Sequence, residues 1–345
     1  MVNLLTKLFK KGFAAAAVLL TISILYYSVS IFHHIRTVNA MADNSLTWVD
    51  FNVTKSAMDR ALQLDIESRN TKNPLNWIDL LAYLGAKYGG NFNQYRAKDL
   101  NELVKQCKDG VSVKQLAENM KYFDYYKKAY EAVLGGMVGE YLIQLTDKPG
   151  GKALQLQTGY GLKAYSPVAE GYGFSHYNDF GSSRSFGFSR PHQGHDIFGR
   201  IGTPVVAVES GIVETLGWNQ YGGWRIGIRS FDGRRYYYYA HLRKDRPYHG
   251  DMQEGVLVQA GDVIGYLGMT GYSNAENVNG MKSPHLHFGM EIVPEGCERE
   301  SNCEIWIDTY EIIKFLEQHK STVVLDKETK EYNRKYRFLD LGMLE

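Results

Sequence analysis

The stretch Trp224–Leu242, WRIGIRSFDGRRYYYYAHL, decides the fold class of the second half of the chain. Alternating runs flank Asp232-Gly233, a residue pair that marks a tight turn between antiparallel strands. The four tyrosines Tyr236–Tyr239 are strong strand formers. Alternation along such a strand predicts Tyr237 and Tyr239 on the face of His241, with Tyr236 and Tyr238 on the other. Outward from this hairpin, between the turn-rich Lys148-Pro149-Gly150-Gly151 and Pro294, glycine is dense and short β runs recur: TPVVAVESGIVETLGW, GVLVQAGDVIGYLG and HLHFGMEIV. The pattern predicts an antiparallel β domain with many tight turns, and IWIDTYEIIKFLEQH reads as its closing helix.

Towards the N-terminus the periodicity changes. From about Val53 to Leu142 apolar residues fall at helical spacing, interrupted at Pro74, Gly90, Gly110 and Gly135-Gly136. A small all-α module is expected there, with Trp77, Tyr83 and Tyr88 in its core. Further upstream, KLFKKG precedes an uncharged run from Phe13 to Phe32, and a 20-residue helix spans about 30 Å, the thickness of a bilayer's hydrocarbon core. With Lys7, Lys10 and Lys11 before it, the run is expected to be a single transmembrane anchor that leaves residues 1–12 cytoplasmic. A cleaved signal peptide ending near Ala40–Ala42 is the alternative, but the apolar run is longer than a signal core and His33, His34 and Arg36 intervene.

The expected fold class is thus multidomain α and β. A transmembrane helix (13–32) is followed by an all-α module (43–147), an antiparallel β domain with a C-terminal helix (152–320), and a charged tail (321–345). Lys plus Arg (39) nearly balance Asp plus Glu (38) in 345 residues, so charge gives no reason to expect a nucleic-acid partner. Of three cysteines, Cys297 and Cys303 flank a short polar loop and could pair in an oxidising compartment, leaving Cys107 over; three unpaired thiols are the other reading.

Chemistry concentrates in two histidine clusters. In SPHLHFGMEI the alternation of a strand puts His285 and His287 on one face and Leu286 and Phe288 on the other. In RPHQGHDIFG, residues 190–199, Pro191, Gly194 and Gly199 argue against a helix, and in an extended strand His192 and Asp196 would lie about 13 Å apart. The chain must therefore bend between them, and Gly194 is expected to permit it. Strand parity points His195 away from Asp196 and favours His192 as its partner. Two imidazoles and a carboxylate with one position open form the usual first shell of a catalytic zinc ion. His241, at the end of the tyrosine strand, is a further candidate for the same site.

The ordered series His192-x-Gly-x-Asp196, GTPVVAVESGIV, YAHL, VQAGDVIGYLGMTG and HLHFG resembles the lysostaphin-type, or LytM-like, zinc endopeptidases across about residues 165–293. Each motif is weak alone, and their order and spacing together are specific. The resemblance implies zinc on His192, Asp196 and His287, with His241 and His285 assisting catalysis. It also implies a lysostaphin-like β fold with a groove over the metal and the hydrolysis of peptides in bacterial peptidoglycan. A membrane-anchored enzyme with its catalytic domain on the cell-wall side is the resulting expectation. The alternative is a zinc-binding scaffold of an envelope or sporulation complex with little hydrolysis. Some relatives are held latent by an upstream residue on the metal; Asn178 and Asp179 are the candidates here, though both read more simply as surface-turn residues.

Overall fold

The computed structural model describes residues 49–144, 156–294 and 304–343. Five helices come first: α1 (Lys55–Ser68), α2 (Trp77–Tyr88), α3 (Ala97–Lys108), α4 (Val113–Leu116) and α5 (Phe123–Leu134). Local chemistry sets their ends. Asn76 Oδ1 accepts from the amides of Ile78 (2.9 Å) and Asp79 (3.1 Å) at the start of α2, and Gly89 closes it at φ 58°.

Strands follow in the order β1 (Val138–Gln144), β2 (Leu156–Leu162), β3 (Ser175–His176), β4 (Ser183–Arg184), β5 (Arg190–Pro191), β6 (His195–Phe198), β7 (Pro204–Val206) and β8 (Gly211–Asn219). Next come β9 (Gly223–Ser230), β10 (Arg235–Ala240), β11 (Leu257–Val258), β12 (Val263–Tyr266), β13 (His285–Ile292) and β14 (Ile305–Trp306). The chain ends with α6 (Tyr310–Leu316), β15 (Val323–Leu325), β16 (Tyr332–Arg334) and β17 (Phe338–Asp340). The main sheet is antiparallel in the order β11-β8-β9-β10-β13-β6-β3, with β14 added beside β13. Asp232-Gly233 turns the chain between β9 and β10 as the sequence predicts, with Gly233 at φ 74°.

The helices do not stand apart from the sheet. Buried residues of α1–α5, such as Leu80 and Val133, belong to one hydrophobic core with Ile228, Tyr237 and Leu286 of the sheet. Trp77 of α2 stacks on Phe315 of α6 with ring centroids 6.0 Å apart. The last turn of α5 is closed by a sheet residue: Arg235 Nη1 donates to the Ala132 carbonyl (2.9 Å), which the helix itself leaves unpaired. The same buried guanidinium grips Glu209 through Nε (2.8 Å) and Nη2 (3.0 Å).

Four expectations are corrected. Among the described residues no helix is long and apolar enough to cross a membrane. The longest has 14 residues, about 21 Å at 1.5 Å per residue, and its apolar face is spent on the shared core. Among the described residues the fold class is a mostly antiparallel β domain with a few helices, which does not support the expected transmembrane element; segments 1–12 and 13–32 lie outside the described residues. Second, Val138–Gln144, read as the end of the helical region, is a strand that pairs with β2 and β17. Third, residues 321–345, read as a charged tail, contain β15, β16 and β17, because Phe338 packs with Tyr165 and Tyr141 and ties the C-terminus to the β domain. Fourth, the closing helix is shorter than read, since Ile305 and Trp306 extend the sheet instead. Cys107 is buried and free, while Cys297 and Cys303 lie outside the described residues.

Candidate metal centre

Register brings the two histidine clusters together. β6 and β13 pair so that Asp196 stands opposite His287, Phe198 opposite His285, and His195 opposite Phe288. Asp196, His285 and His287 therefore share one sheet face, and His195 turns to the other. His192 reaches the site from the loop after β5. Its Nε2 lies 2.8 Å from His287 Nδ1 and 3.1 Å from Asp196 Oδ1, and the last two atoms are 3.2 Å apart. Three atoms at such separations can all contact one ion at about 2.0–2.2 Å, the bond length of zinc to imidazole and carboxylate.

Gly194 serves this approach differently from the expectation. It is not in the left-handed region; its role is steric, because a Cβ there would sit 2.5 Å from His287 Cε1. The left-handed residue is His241, at φ 59° just past the end of β10. That reversal breaks the strand alternation, so His241 leaves the face of Tyr237 and Tyr239. The groove over the site, about 350 Å³, is lined by His241, His285, His287 and Tyr238, whereas Tyr237 and Tyr239 are core.

Backbone carbonyls select the tautomers of both flanking histidines. His241 Nδ1 lies 2.8 Å from the Thr270 oxygen and His285 Nδ1 2.9 Å from the Ser283 oxygen, so each Nδ1 carries the hydrogen. Each Nε2 is then a lone-pair acceptor. Burial, reinforced by His285 and His287, holds the His241 imidazole well below its ordinary pKa and therefore neutral. His285 Nε2 lies 3.7 Å from Asp196 Oδ1.

The three converging groups are tuned as ligands. Burial pushes His287 down to about 4, despite its hydrogen bond to Asp196, so it is neutral near pH 7. Burial opposes ionisation of Asp196 as well, but hydrogen bonds from His192 and His287 outweigh it and hold the carboxylate well below its usual range. For His192 burial lowers the pKa, and the hydrogen bonds to Asp179 and Asp196 overcome it, raising the group to about 9. An ion held by His192 Nε2 would take the place of that second proton.

A set of outer partners, invisible in the spacing of the sequence, supports this arrangement. Asp179 is buried rather than in a surface turn, and its Oδ2 lies 3.2 Å from His192 Nδ1. Arg184 Nη2 donates to Asp179 Oδ2 (2.7 Å) and Asp196 Oδ2 (2.8 Å). It also lies 2.9 Å from His192 Nδ1, but that nitrogen cannot accept from Arg184 while donating to Asp179. We assign donation, because both of these Arg184 contacts already have carboxylate acceptors. Beyond Asp179 the fully buried His195 approaches Asp179 Oδ1 with Nδ1 (3.5 Å) and His176 Nδ1 with Nε2 (2.6 Å); His176 Nε2 meets Glu317 Oε1 at 2.6 Å. His176, Asp179 and Arg184 lie within nine residues of one another just upstream of His192, and Glu317 follows α6; nothing in their spacing marks them as partners of the site.

Residues 190–299 match the family described as Peptidase family M23. The chain carries an M23 peptidase domain. The chain is 42% identical over 117 residues to the L-Ala–D-Glu endopeptidase of Bacillus subtilis, a match covering 34% of this chain and 34% of that protein. It is 44% identical over 98 residues to lysostaphin of Staphylococcus simulans, covering 28% of this chain and 17% of lysostaphin. The chain thus spans about a third or less of the length of these curated relatives. In fold it is similar to a Ruminococcus gnavus protein named for glycyl-glycine endopeptidase LytM, with a TM-score of 0.51 at 21% identity, over 79% of this chain and 91% of that one. The M23 segment contains all five histidine and aspartate candidates, and β6, β10 and β13 that carry or abut them. Asp179, Arg184 and His176 lie upstream of the matched segment.

Proposed function

We propose that this chain is a zinc metalloendopeptidase that hydrolyses peptide bonds in bacterial peptidoglycan, outside the cytoplasm. The observation that carries the reading is the convergence of His192 Nε2, Asp196 Oδ1 and His287 Nδ1, with His241 and His285 beside them in one groove. The matches to relatives named L-Ala–D-Glu endopeptidase and glycyl-glycine endopeptidase support the substrate class.

His192, Asp196 and His287 would hold the zinc. Bound there, it supplies Lewis acidity towards a carbonyl oxygen and towards water. His285 is the general base: its Nε2 accepts the proton of the attacking water as the oxygen adds to the scissile carbonyl, and the nearby Asp196 carboxylate steadies the imidazolium. His285 then returns the proton to the leaving amine. His241, an acceptor at Nε2 whose ring centroid lies 4.7 Å from that of His285, orients the water beside it. Asp179 holds His192 in the tautomer that leaves Nε2 for the metal.

The test is peptide release from purified peptidoglycan, followed by mass spectrometry of the products. Zinc-loaded protein is expected to release new amino termini, and His285→Ala to lose at least a hundredfold of that rate with zinc still bound. No release by the zinc-loaded protein, or equal release by both, overturns the proposal.

A further inference from the structure

Two arginines flank the groove as register partners: Arg184 of β4 stands opposite Arg190 of β5. Their circumstances differ. Arg184 is committed to Asp179 and Asp196. Arg190 lines the same groove but pairs with no carboxylate among the described residues. Its one protein hydrogen bond there is from Nη1 to the Phe186 carbonyl, at 2.7 Å. Three rings hold the guanidinium instead, with Tyr221 at 4.6 Å, Phe188 at 5.5 Å and Tyr272 at 5.7 Å from its central carbon. Stacking on aromatic faces fixes the plane of a guanidinium while leaving its edge donors available. The groove's carboxylates are already engaged, Asp196 by Arg184 and the metal-site histidines, and Glu304 by the Trp306 indole.

A half-buried guanidinium, rigidly held and short of an acceptor, is suited to a planar anion, which it can meet with two parallel hydrogen bonds. We propose that Arg190 recognises a free carboxylate on the peptide residue next to the scissile bond, so that the groove selects an acidic peptide over a neutral one. This deepens the function proposed above and rests on it for the position of the scissile bond. Among the bonds for which the relatives are named, alanyl-glutamyl linkages offer such a carboxylate and glycyl-glycine linkages do not. The selection operates without a new catalytic group: the substrate carboxylate satisfies the Arg190 edge, and a neutral amide in its place leaves charged donors facing a weaker acceptor.

The experiment uses the full chain and two alanyl-D-glutamyl peptides that differ only in whether the glutamyl side carboxyl is free or amidated. The ratio of kcat/KM for acid over amide is measured for the wild type, Arg190→Lys and Arg190→Gln, and binding of both peptides to the zinc-free proteins is measured in parallel. The wild type is expected to favour the acid about ten- to hundredfold, carried mainly by KM. Arg190→Gln should bring the ratio close to one, and Arg190→Lys should retain part of it. A wild-type ratio near one, or the same ratio in Arg190→Gln, overturns the inference. If neither peptide is cut but the acid still binds more tightly in an Arg190-dependent way, the recognition stands and the proposed reaction falls. Equal binding of acid and amide by the uncut wild type overturns both.

Discussion

Asp196 faces His287 directly across the β6–β13 ladder, with Asp196 Oδ1 3.2 Å from His287 Nδ1, while His195 in the next position faces Phe288 in the core. One residue of register separates a candidate metal ligand from a core residue. Asp196→Ala and His287→Ala are therefore expected each to abolish stoichiometric zinc binding in equilibrium dialysis. Retention of tight zinc by either variant would show that the metal sits elsewhere.

His195 should behave oppositely. Its Nε2 is the partner of the partly buried His176, so His195→Ala leaves that imidazole without this hydrogen bond, at a cost of about 1 kcal/mol. Urea denaturation should show this loss, with zinc still bound at one ion per chain. Loss of zinc at unchanged stability would reverse the assignment.

Asp179 reaches the candidate metal site through His192. Asp179→Asn keeps the shape but replaces a carboxylate acceptor by a neutral amide, and is expected to weaken zinc affinity about 10–100-fold. Competition with a chelating dye measures it. An unchanged affinity would leave Asp179 a purely structural neighbour of Arg184.

Arg235 ties the α5 end to the sheet while compensating Glu209, both fully or nearly fully buried. Arg235→Met removes the cation and leaves a buried carboxylate, which should cost about 3–5 kcal/mol. The double variant Arg235→Met/Glu209→Met should recover much of the loss in a denaturation series. Failure to recover would locate the effect in the Ala132 carbonyl instead.

Acid should destabilise the fold by way of its buried neutral histidines. His319 is held below its ordinary pKa by burial, which outweighs its hydrogen bond to the Ala164 carbonyl; its folded value lies below the unfolded 6.5. Folding therefore excludes a proton that the unfolded chain binds. The stability this group contributes is whole above about pH 6.5 and is lost as pH falls towards the folded pKa. Tm measured between pH 8 and pH 5 should drop less in His319→Gln than in the wild type; parallel curves would exclude His319 as a source.

Much of the site was legible because strand geometry is local. Two-residue alternation put His285 beside His287 and set His195 apart from Asp196, and Asp-Gly marked the β9–β10 turn, all before any long-range contact was known. Alternation failed at His241 because one left-handed residue reverses side-chain direction, and histidine carries no marker for that conformation as glycine would. The bend at Gly194 was anticipated for its φ freedom, yet the residue is small because an imidazole from a strand 93 positions later occupies the space of its Cβ.

The sequence by itself determined the β character and the faces that the histidines and aspartate take along each strand, since these follow from covalent spacing and backbone period, while which of them converge was implied by the resemblance of the ordered motifs. Only the tertiary structure decided that helices and sheet share a core, that residues 323–340 return to pair with the β domain, and that Asp179, Arg184 and His176 stand behind the metal ligands. Those contacts depend on which buried polar atoms find partners across distant segments. That choice is made by packing and desolvation over the whole chain and leaves no period in the sequence to read.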